Sequence, residues 1–175
     1  MGETLRTAAL RLAVPADAAA VVRLLRAEAT GGLLGIDPSS LDGDVEAQRL
    51  ARQDPRQACM LVTEVAGGVQ GFGLAVRGPG PALDHTATVS LLVAPSCRRH
   101  GLGRLLLEGL EAWARSARVH KLCAGVHAGN AAALALFQNA GYSTEGIRRQ
   151  QLRSGETLAD EVCLGLFPAG GGTGR

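Results

Sequence analysis

Between Thr86 and Trp113 the sequence passes without interruption from an apolar strand, through a basic loop, into a helix. The strand TATVSLLVAP is almost continuously apolar, which is typical of a strand buried on both faces, and Pro95 ends it. The loop over 96–103 then holds three basic residues and two glycines in eight positions. Strand, loop and helix in immediate succession are the unit from which α/β folds are built, so this segment constrains the fold most.

The start of this helix is predicted to bind an anion. The N–H groups of a first helical turn lack intrahelical partners, and the helix dipole adds partial positive charge there. Gly101 and Gly103 would let a bulky anion approach the backbone. Four basic side chains surround them: Arg98, Arg99, His100 and Arg104. A phosphate or pyrophosphate is the expected ligand, and the alternative is a basic loop that is merely solvated.

Two common phosphate-binding motifs are excluded. A dinucleotide-binding GxGxxG motif needs a third glycine where this chain has Leu106. A P-loop needs a lysine followed by Ser or Thr, and this loop contains no lysine. The pattern that remains is R-x-x-G-x-G, from Arg98 to Gly103, directly after a strand that ends in LLVAP.

The remaining elements alternate between strand and helix patterns. In the first half we predict a strand over 5–14, a helix capped by Asp17, a loop over 30–44, a short helix over 45–51 and a hairpin turning at Gly67-Gly68. In the second half we predict the strand LCAGVHA, a helix between Asn130 and the C′ residue Gly141, and a hairpin turning near Ser154-Gly155. The helix after the basic loop has one apolar stripe: Leu102, Leu105, Leu106, Leu110, Trp113 and Ala117.

Composition narrows the class of protein. The chain has 175 residues, 46% of them hydrophobic, and no apolar run near the roughly 18 residues that span a bilayer. A net charge of only +2 argues against a nucleic-acid binder. No signal peptide is recognised, and four widely spaced cysteines read as free thiols, so we expect a cytoplasmic protein without a metal site. We expect one domain over 1–168 and a disordered tail over 169–175.

Two motifs resemble those of the GCN5-related N-acetyltransferase (GNAT) superfamily. Its acyl-CoA pyrophosphate loop has the pattern Q/R-x-x-G-x-G/A after a strand ending V-x-P, as in this chain. NAAALALFQNAGY (130–142) resembles the later motif of that family, in which an Asn, an alanine-rich helix and an aromatic residue precede G-F or G-Y. The segment EGIRRQQLRSGETLADEVCLGLF (145–167) resembles the closing hairpin, with the acidic pair Asp160-Glu161.

The resemblance covers nearly the whole chain, although the first 80 residues match weakly. It implies an α/β fold with a mixed, mostly antiparallel sheet flanked by helices, in the order β-α-α-β-β-β-α-β-α-β-β. It also implies acetyl-CoA as co-substrate. The pyrophosphate would bind, chiefly through backbone N–H groups, at Arg98, Arg99, His100, Gly101, Leu102, Gly103 and Arg104.

The resemblance further implies where the rest of acetyl-CoA would lie. The pantetheine arm would pass between the fourth and fifth strands and hydrogen-bond to the backbone of Leu91 and Val93. Asn130 would contact the cofactor through its amide, although an N-cap role explains this residue too, and both roles can hold at once. Phe137 would lie beside the thiol end, although core packing is the stronger reading for it.

The chain departs twice from the pattern of that family. Ala87 and Thr88 stand where relatives often carry a catalytic glutamate, and Phe137 stands where the usual general acid is a tyrosine. A phenyl ring donates no proton, so the catalytic residues are unknown at this point. Three substitutes are open: ordered water relaying protons to Asp84 or His85, Glu28 from the first helix, or Tyr142.

The leading hypothesis is an N-acetyltransferase in which an amine attacks acetyl-CoA directly within a ternary complex. A small-molecule amine is the expected acceptor, and acidic residues in the first half of the chain could attract it: Asp37, Asp42, Asp44 and Glu46. A peptide N-terminus or a lysine is the alternative acceptor. A non-catalytic acyl-CoA-binding module is the alternative of another class. Whether the final strands form a homodimer stays open.

Overall fold

The computed structural model describes residues 8–29, 41–154 and 156–168, which form one seven-stranded sheet with helices on both faces. The strands are β1 (Ala9–Leu12), β2 (Ala58–Val65), β3 (Gly68–Arg77), β4 (Thr86–Val93), β5 (Lys121–His127), β6 (Ser143–Ser154) and β7 (Thr157–Leu166). The helices are α1 (Ala18–Ala29), α2 (Gly43–Ala51), α3 (Leu102–Ser116) and α4 (Ala131–Asn139). The sheet order is β1-β2-β3-β4-β5-β7-β6, and only β4 and β5 pair in parallel. The predicted fold class and order of elements are confirmed.

The hydrophobic core lies in two layers, one on each face of the sheet. On the first face, Leu106 and Leu110 of α3 are fully buried against residues such as Ala75, Val89 and Leu122, and α4 joins the same layer. On the second face, α1 and α2 pack over a separate cluster, which consists of residues from β2, β3, β4 and the helices: Val21, Leu24, Leu50, Met60, Val62, Phe72 and Leu92 among others.

The second face is covered unevenly. The cluster beneath α1 and α2 includes no residue of β5, β6 or β7. Because side chains alternate along a strand, Val162 and Leu164 of β7 join the first-face core, whereas Glu161 and Cys163 point to the second face. The same alternation places Gly125 of β5 on the second face. Small and polar groups therefore occupy the part of this face where, in the described ranges, no helix packs.

Strands β4 and β5 form a fork. Their parallel ladder runs only from Thr86 with Lys121 to Thr88 with Cys123, after which the strands separate. The N–H of Ala94 donates to the carbonyl oxygen of Gln70 at 2.7 Å, so even-numbered residues of β4 exchange hydrogen bonds with β3. In an antiparallel pair the intervening residues direct their N–H and C=O groups the other way. Leu91 and Val93 therefore direct theirs into the fork.

Three local predictions were wrong. Asp17 does not cap α1: it ends a one-turn 3₁₀ helix (Pro15–Asp17), and its carboxylate accepts hydrogen bonds from the guanidinium of Arg11 at 2.7 and 2.9 Å. Strand β4 is not buried on both faces, since Thr88 and Ser90 are exposed where no described helix covers the second face. The first hairpin turns one residue earlier than predicted, at Ala66 and Gly67, which both have positive φ.

The predictions around α4 were correct. The side chain of Asn130 accepts a hydrogen bond from the N–H of Ala133 at 3.1 Å, which makes it the N-cap. Gly141 follows the C-cap residue with φ +92°, the left-handed conformation that favours glycine.

The apolar stripe of α3 also includes Leu107 and Ala114, which are buried and were not predicted, whereas Leu105 is only partly buried. The predicted tail, 169–175, lies outside the described residues.

Candidate active site

The start of α3 has the form of an anion site. Gly101 is the N-cap residue with φ +82°, and no side chain caps the first turn. Leu102 points its side chain into the core, so the backbone of this turn lies near the surface. The basic side chains predicted to surround it are exposed: Arg98, Arg99, His100 and Arg104. Unsatisfied N–H groups, the helix dipole and nearby cations all favour a bound anion here.

Gly103 has a packing role that the sequence did not reveal. A Cβ built on this residue would lie 2.8 Å from Cδ2 of Leu136 in α4. The missing side chain therefore lets the first turn of α3 approach α4. Substituting Gly103 would perturb this contact as well as any anion site, whereas Gly101 has no atom near its missing side chain and is constrained by its φ alone.

Arg98 links the basic loop to the fork. Its Nε donates a hydrogen bond to the carbonyl oxygen of Val93 at 3.0 Å. That carbonyl belongs to one of the two residues whose backbone groups point into the fork. The predicted binding elements for pyrophosphate and for pantetheine are therefore adjacent in space, and Arg98 connects them directly.

Asn130 and Phe137 have structural roles in α4. Asn130 follows β5 and caps the helix, which places it beyond the open end of the fork. Phe137 is only 4% exposed, and its ring packs edge-on against Tyr142 with centroids 4.9 Å apart. The N-cap and core readings of these residues are thus confirmed, and their contacts with a cofactor stay predictions.

The structure favours neither Asp84 and His85 nor Tyr142 as a substitute for proton transfer, and it does not test Glu28. Asp84 and His85 precede β4 at its paired end, and His85 is about 20 Å along the strand from Leu91 at roughly 3.3 Å per residue. Tyr142 is buried in the first-face core, and burial raises its pKa. The side chain of Glu28 lies outside the described residues.

Two of the four acidic residues predicted to attract an acceptor, Asp42 and Glu46, have local partners. Asp42 is the N-cap of α2 and accepts hydrogen bonds from the N–H groups of Asp44 and Val45 at 2.7 and 3.2 Å. Glu46 forms an ion pair with Arg49 at 2.5 Å. Asp37 lies outside the described residues. Helix capping and an ion pair within one helix therefore account for Asp42 and Glu46.

One carboxylate beside the fork was not singled out from the sequence as a site residue. Glu161 of β7 leans across the second face of β5, so that a Cβ on Gly125 would overlap its Oε1 atom. Its other oxygen, Oε2, accepts a hydrogen bond from Arg148 of β6 at 3.0 Å. The sequence showed an acidic pair at Asp160-Glu161, but only the register of β5 against β7 reveals that Glu161 meets a glycine.

With this geometry, the comparison with known proteins is clear: the chain belongs to the acetyltransferase (GNAT) family, whose family model matches residues 20–142. It is 34% identical over 113 residues to the ribosomal protein bS18-alanine N-acetyltransferase of Salmonella typhimurium, a match that covers 65% of this chain and 66% of that protein. The match to the protein of the same name from Escherichia coli K12 covers 57% of that protein. The chain therefore spans less than two thirds of the length of these curated relatives.

Solved structures agree with this assignment. The ribosomal-protein-alanine N-acetyltransferase of Brucella melitensis is 29% identical with a TM-score of 0.82, and the match covers 91% of this chain and 99% of that one. The yncA structure from Salmonella typhimurium, which holds its cofactor acetyl-CoA, is 26% identical with a TM-score of 0.83, over 91% and 93% of the two chains. None of the helices in the described ranges has the length and apolar character needed to cross a bilayer.

Proposed function

We propose that the chain is an acetyl-CoA-dependent N-acetyltransferase whose acceptor is the α-amine of a protein N-terminus. The observation that carries this proposal is the fork, into which Leu91 and Val93 direct backbone hydrogen-bonding groups, beside the exposed first turn of α3. Membership of the acetyltransferase family and the acetyl-CoA held by the yncA structure support it.

The residues present fit acetyl-CoA. A pantetheine arm carries amide groups that need backbone-like partners. Leu91 offers its N–H and C=O groups and Val93 its N–H group, which β5 does not use beyond Cys123, whereas the carbonyl of Val93 accepts a hydrogen bond from Arg98. A pyrophosphate needs N–H donors and positive charge, which the first turn of α3 and the exposed side chains of Arg98 and Arg99 supply. His100, Gly101, Leu102, Gly103 and Arg104 complete this segment.

The proposed chemistry does not require an ionisable side chain to protonate the leaving thiolate. When bound, acetyl-CoA supplies the acetyl group as a thioester. The backbone N–H of Leu91 or Val93 would donate a hydrogen bond to the carbonyl oxygen and stabilise the negative charge that develops there. Phe137 cannot protonate the departing sulfur, but a thiol pKa of about 8.5 makes the thiolate an acceptable leaving group. Transfer can therefore proceed without a tyrosine at this position.

Two arguments favour an α-amine over the other acceptors. The curated relatives and the structure from Brucella melitensis are named for alanine of a ribosomal protein. The second is energetic: at pH 7 a neutral α-amine, with a pKa of about 7.8, costs about 1 kcal/mol, whereas a neutral lysine amine costs about 4 to 5 kcal/mol. The carboxylate that the described residues place beside the fork, Glu161, suits the smaller cost.

The first experiment measures cofactor binding by calorimetry. We expect acetyl-CoA to bind with a higher affinity than adenosine 3′,5′-bisphosphate, because only acetyl-CoA can occupy the fork. The double substitution R98Q/R99Q should weaken both ligands and reduce the dependence of binding on salt. Equal affinity for the two ligands would contradict a pantetheine site in the fork, and no binding of either would remove the acetyltransferase proposal.

The second experiment identifies the acceptor from the release of free thiol. The panel contains a peptide with an N-terminal alanine, the same peptide with a blocked N-terminus and one lysine, and a set of small primary amines. We expect turnover with the free α-amine to exceed that with the lysine peptide. Faster turnover with small amines would instead support the acceptor expected from the sequence. Binding without thiol release from any amine would indicate a non-catalytic module.

A further inference from the structure

We propose that Glu161 of β7 is the base that takes a proton from the acceptor amine. This inference rests on the proposed N-acetyltransferase function and assigns a residue to its least explained step. The positions on β4 where relatives often carry a glutamate hold Ala87 and Thr88. Ala87 is buried in the first-face core and Thr88 carries only a hydroxyl, so β4 supplies no carboxylate.

The position of Glu161 follows from strand register. His127 of β5 pairs with Glu161, and Gly125 pairs with Cys163, so Gly125 is a diagonal neighbour of Glu161 on the second face. Gly125 lies two residues beyond Cys123, the last residue of β5 that pairs with β4, which is about 7 Å past the apex of the fork. The carboxylate therefore lies over β5 just where the fork opens.

The absence of a side chain at Gly125 is what admits the carboxylate. A Cβ at this position would overlap Oε1 and crowd the Cδ atom of Glu161, which would lie 2.7 Å away. Any other residue would displace the carboxylate from this position. Glycine within a strand is otherwise unfavourable, because it packs nothing and costs conformational entropy, and it often marks a site that something else approaches closely.

The two oxygens of Glu161 have different surroundings. Oε2 accepts a hydrogen bond from Arg148, which fixes the orientation of the carboxylate. Oε1, which lies over Gly125, accepts no hydrogen bond from any side chain or backbone group that the structure describes. The side chain is 15% exposed, so it is reachable from the second face but largely shielded from water. One oxygen is thus positioned by the protein and the other is available to an amine.

The proton balance of the step is simple. The ammonium group of the acceptor gives one proton to Oε1, which leaves a neutral amine and a neutral carboxyl group. The nitrogen lone pair forms the bond to the acetyl carbon, the carbon–sulfur bond breaks, and its electron pair leaves on the sulfur. The second proton of the nitrogen passes to the thiolate or to water, and Glu161 returns its own proton to solvent.

The charged and titratable groups that face Glu161 come from its own strand, β7, and from its two neighbours, β5 and β6. Arg148 of β6 is paired with it, His127 and Cys123 face it from β5, and Cys163 lies on the same face of β7. The imidazole of His127 accepts a hydrogen bond at Nδ1 from the N–H of Gly129 at 2.9 Å.

Glu145 provides a matched control. It also leans over a glycine, since a Cβ on Gly165 would overlap its Oε1 atom, and it also pairs with a cation, Lys121, at 2.7 Å. Lys121 belongs to the paired end of the fork, opposite Thr86. Glu145 therefore shares the chemistry of Glu161 but not its position at the opening.

The experiment compares wild type with E161Q and E145Q, using thiol release from the alanine peptide between pH 6.5 and 9.5. At pH 7 we expect E161Q to lower kcat/KM by at least about 100-fold, the contribution of a general base. This deficit should shrink as the pH rises past the pKa of the α-amine, because the amine then arrives neutral. E145Q should keep the wild-type rate and pH profile. G125A should reproduce the loss at pH 7.

A binding measurement gives a readout that does not depend on turnover. In the presence of CoA, wild type should bind the alanine peptide more tightly than its N-acetylated form, and E161Q should lose this preference while keeping its affinity for acetyl-CoA. A wild-type pH profile in E161Q, or a deficit of equal size at every pH, would overturn the role of Glu161 alone. No turnover of the wild type with any amine would overturn the proposed function and this inference together.

Discussion

The two halves of the sheet on either side of the fork are built differently. In the covered half, β1 to β4, helices α1 and α2 bury the second face over residues such as Met60 and Phe72. In the uncovered half, β5 to β7, the described part of the same face holds small residues and ion pairs, among them Lys121 with Glu145 and Arg148 with Glu161. The covered half therefore buries apolar side chains on both faces of the sheet, whereas the described part of the uncovered half buries them on one face.

This difference shows how the fold separates stability from chemistry. Pairing with β3 and the burial of Val89 on the first face and Leu92 on the second hold β4 in place, so its backbone can direct groups that β5 does not use into the fork at Leu91 and Val93. Among the described residues, the second face of the uncovered half carries polar side chains instead, and under the proposed function this face meets the acceptor. We therefore expect changes in the covered half to alter stability and changes in the uncovered half to alter activity.

The largest expected effect comes from removing a large side chain in the covered half. Phe72 is 5% exposed beneath α1 and α2, and F72A should lower the free energy of unfolding by about 3 to 5 kcal/mol. The matched control in the uncovered half is I147A, because Ile147 is 51% exposed and its truncation should change stability by about 0.5 kcal/mol or less. Urea unfolding of both variants checks this, and equal losses would contradict the division into halves.

The second prediction concerns how the stability contributed by an ion pair at the edge of the covered half depends on pH. The guanidinium of Arg11 donates hydrogen bonds to Asp17, which hold the pKa of this buried carboxyl below its usual range. The stabilisation is therefore fully present above about pH 4 and is lost as the pH falls through the lowered pKa. At pH 7 we expect D17N to lower the free energy of unfolding by about 1.5 to 3 kcal/mol, the usual contribution of a hydrogen bond to a charged group.

The measurement is urea unfolding of wild type and D17N at several pH values between 7 and 2. The two curves of stability against pH should converge at the acid end, since protonated Asp17 resembles asparagine. D160N is the control in the uncovered half: the pKa of Asp160 is also lowered, by hydrogen bonds from Gln150 and Arg149, but its side chain is 26% exposed, against 8% for Asp17. A pH dependence in D160N as large as that of D17N would contradict the comparison.

Sequence patterns predicted the features that depend on neighbours along the chain. The N-cap at Asn130, the C′ glycine Gly141 and the order of the elements each follow from residues a few positions apart. The basic loop and the start of α3 were predicted for the same reason. Asp17 shows the limit of such reasoning, because an acidic residue before a helix is a common cap, whereas its partner here is the side chain of Arg11 on β1.

The features that sequence reasoning missed depend on distant contacts. The packing of Gly103 against Leu136 is set by how α3 meets α4, and the position of Glu161 over Gly125 is set by the register of β7 against β5. The exposure of Ser90 depends on where α1 and α2 stop covering the sheet. The spacing of apolar residues predicts one helix or strand at a time. It therefore could not predict these contacts, which join elements that are distant in the sequence.

The smallest effect that we predict is a gain. Thr63 of β2 is fully buried in the covered half, and its hydroxyl has no hydrogen-bond partner among the described residues. It pairs with Gly71 of β3, which pairs in turn with Val93 at the open end of the fork. T63V keeps the shape of the side chain and removes a buried unsatisfied group, so it should raise the free energy of unfolding by about 1 kcal/mol.

Two controls separate this gain from a general preference for valine in strands. T144V changes an exposed threonine of β6 in the uncovered half and should shift stability by about 0.5 kcal/mol or less. T63A removes the hydroxyl but also a methyl group, so the cavity it leaves should cancel the gain. Affinity for acetyl-CoA should be unchanged in T63V, because no backbone group of β4 is altered. If T63V proves less stable than wild type, Thr63 Oγ1 has a hydrogen-bond partner in solution, and water reaches further into the covered half than its packing indicates.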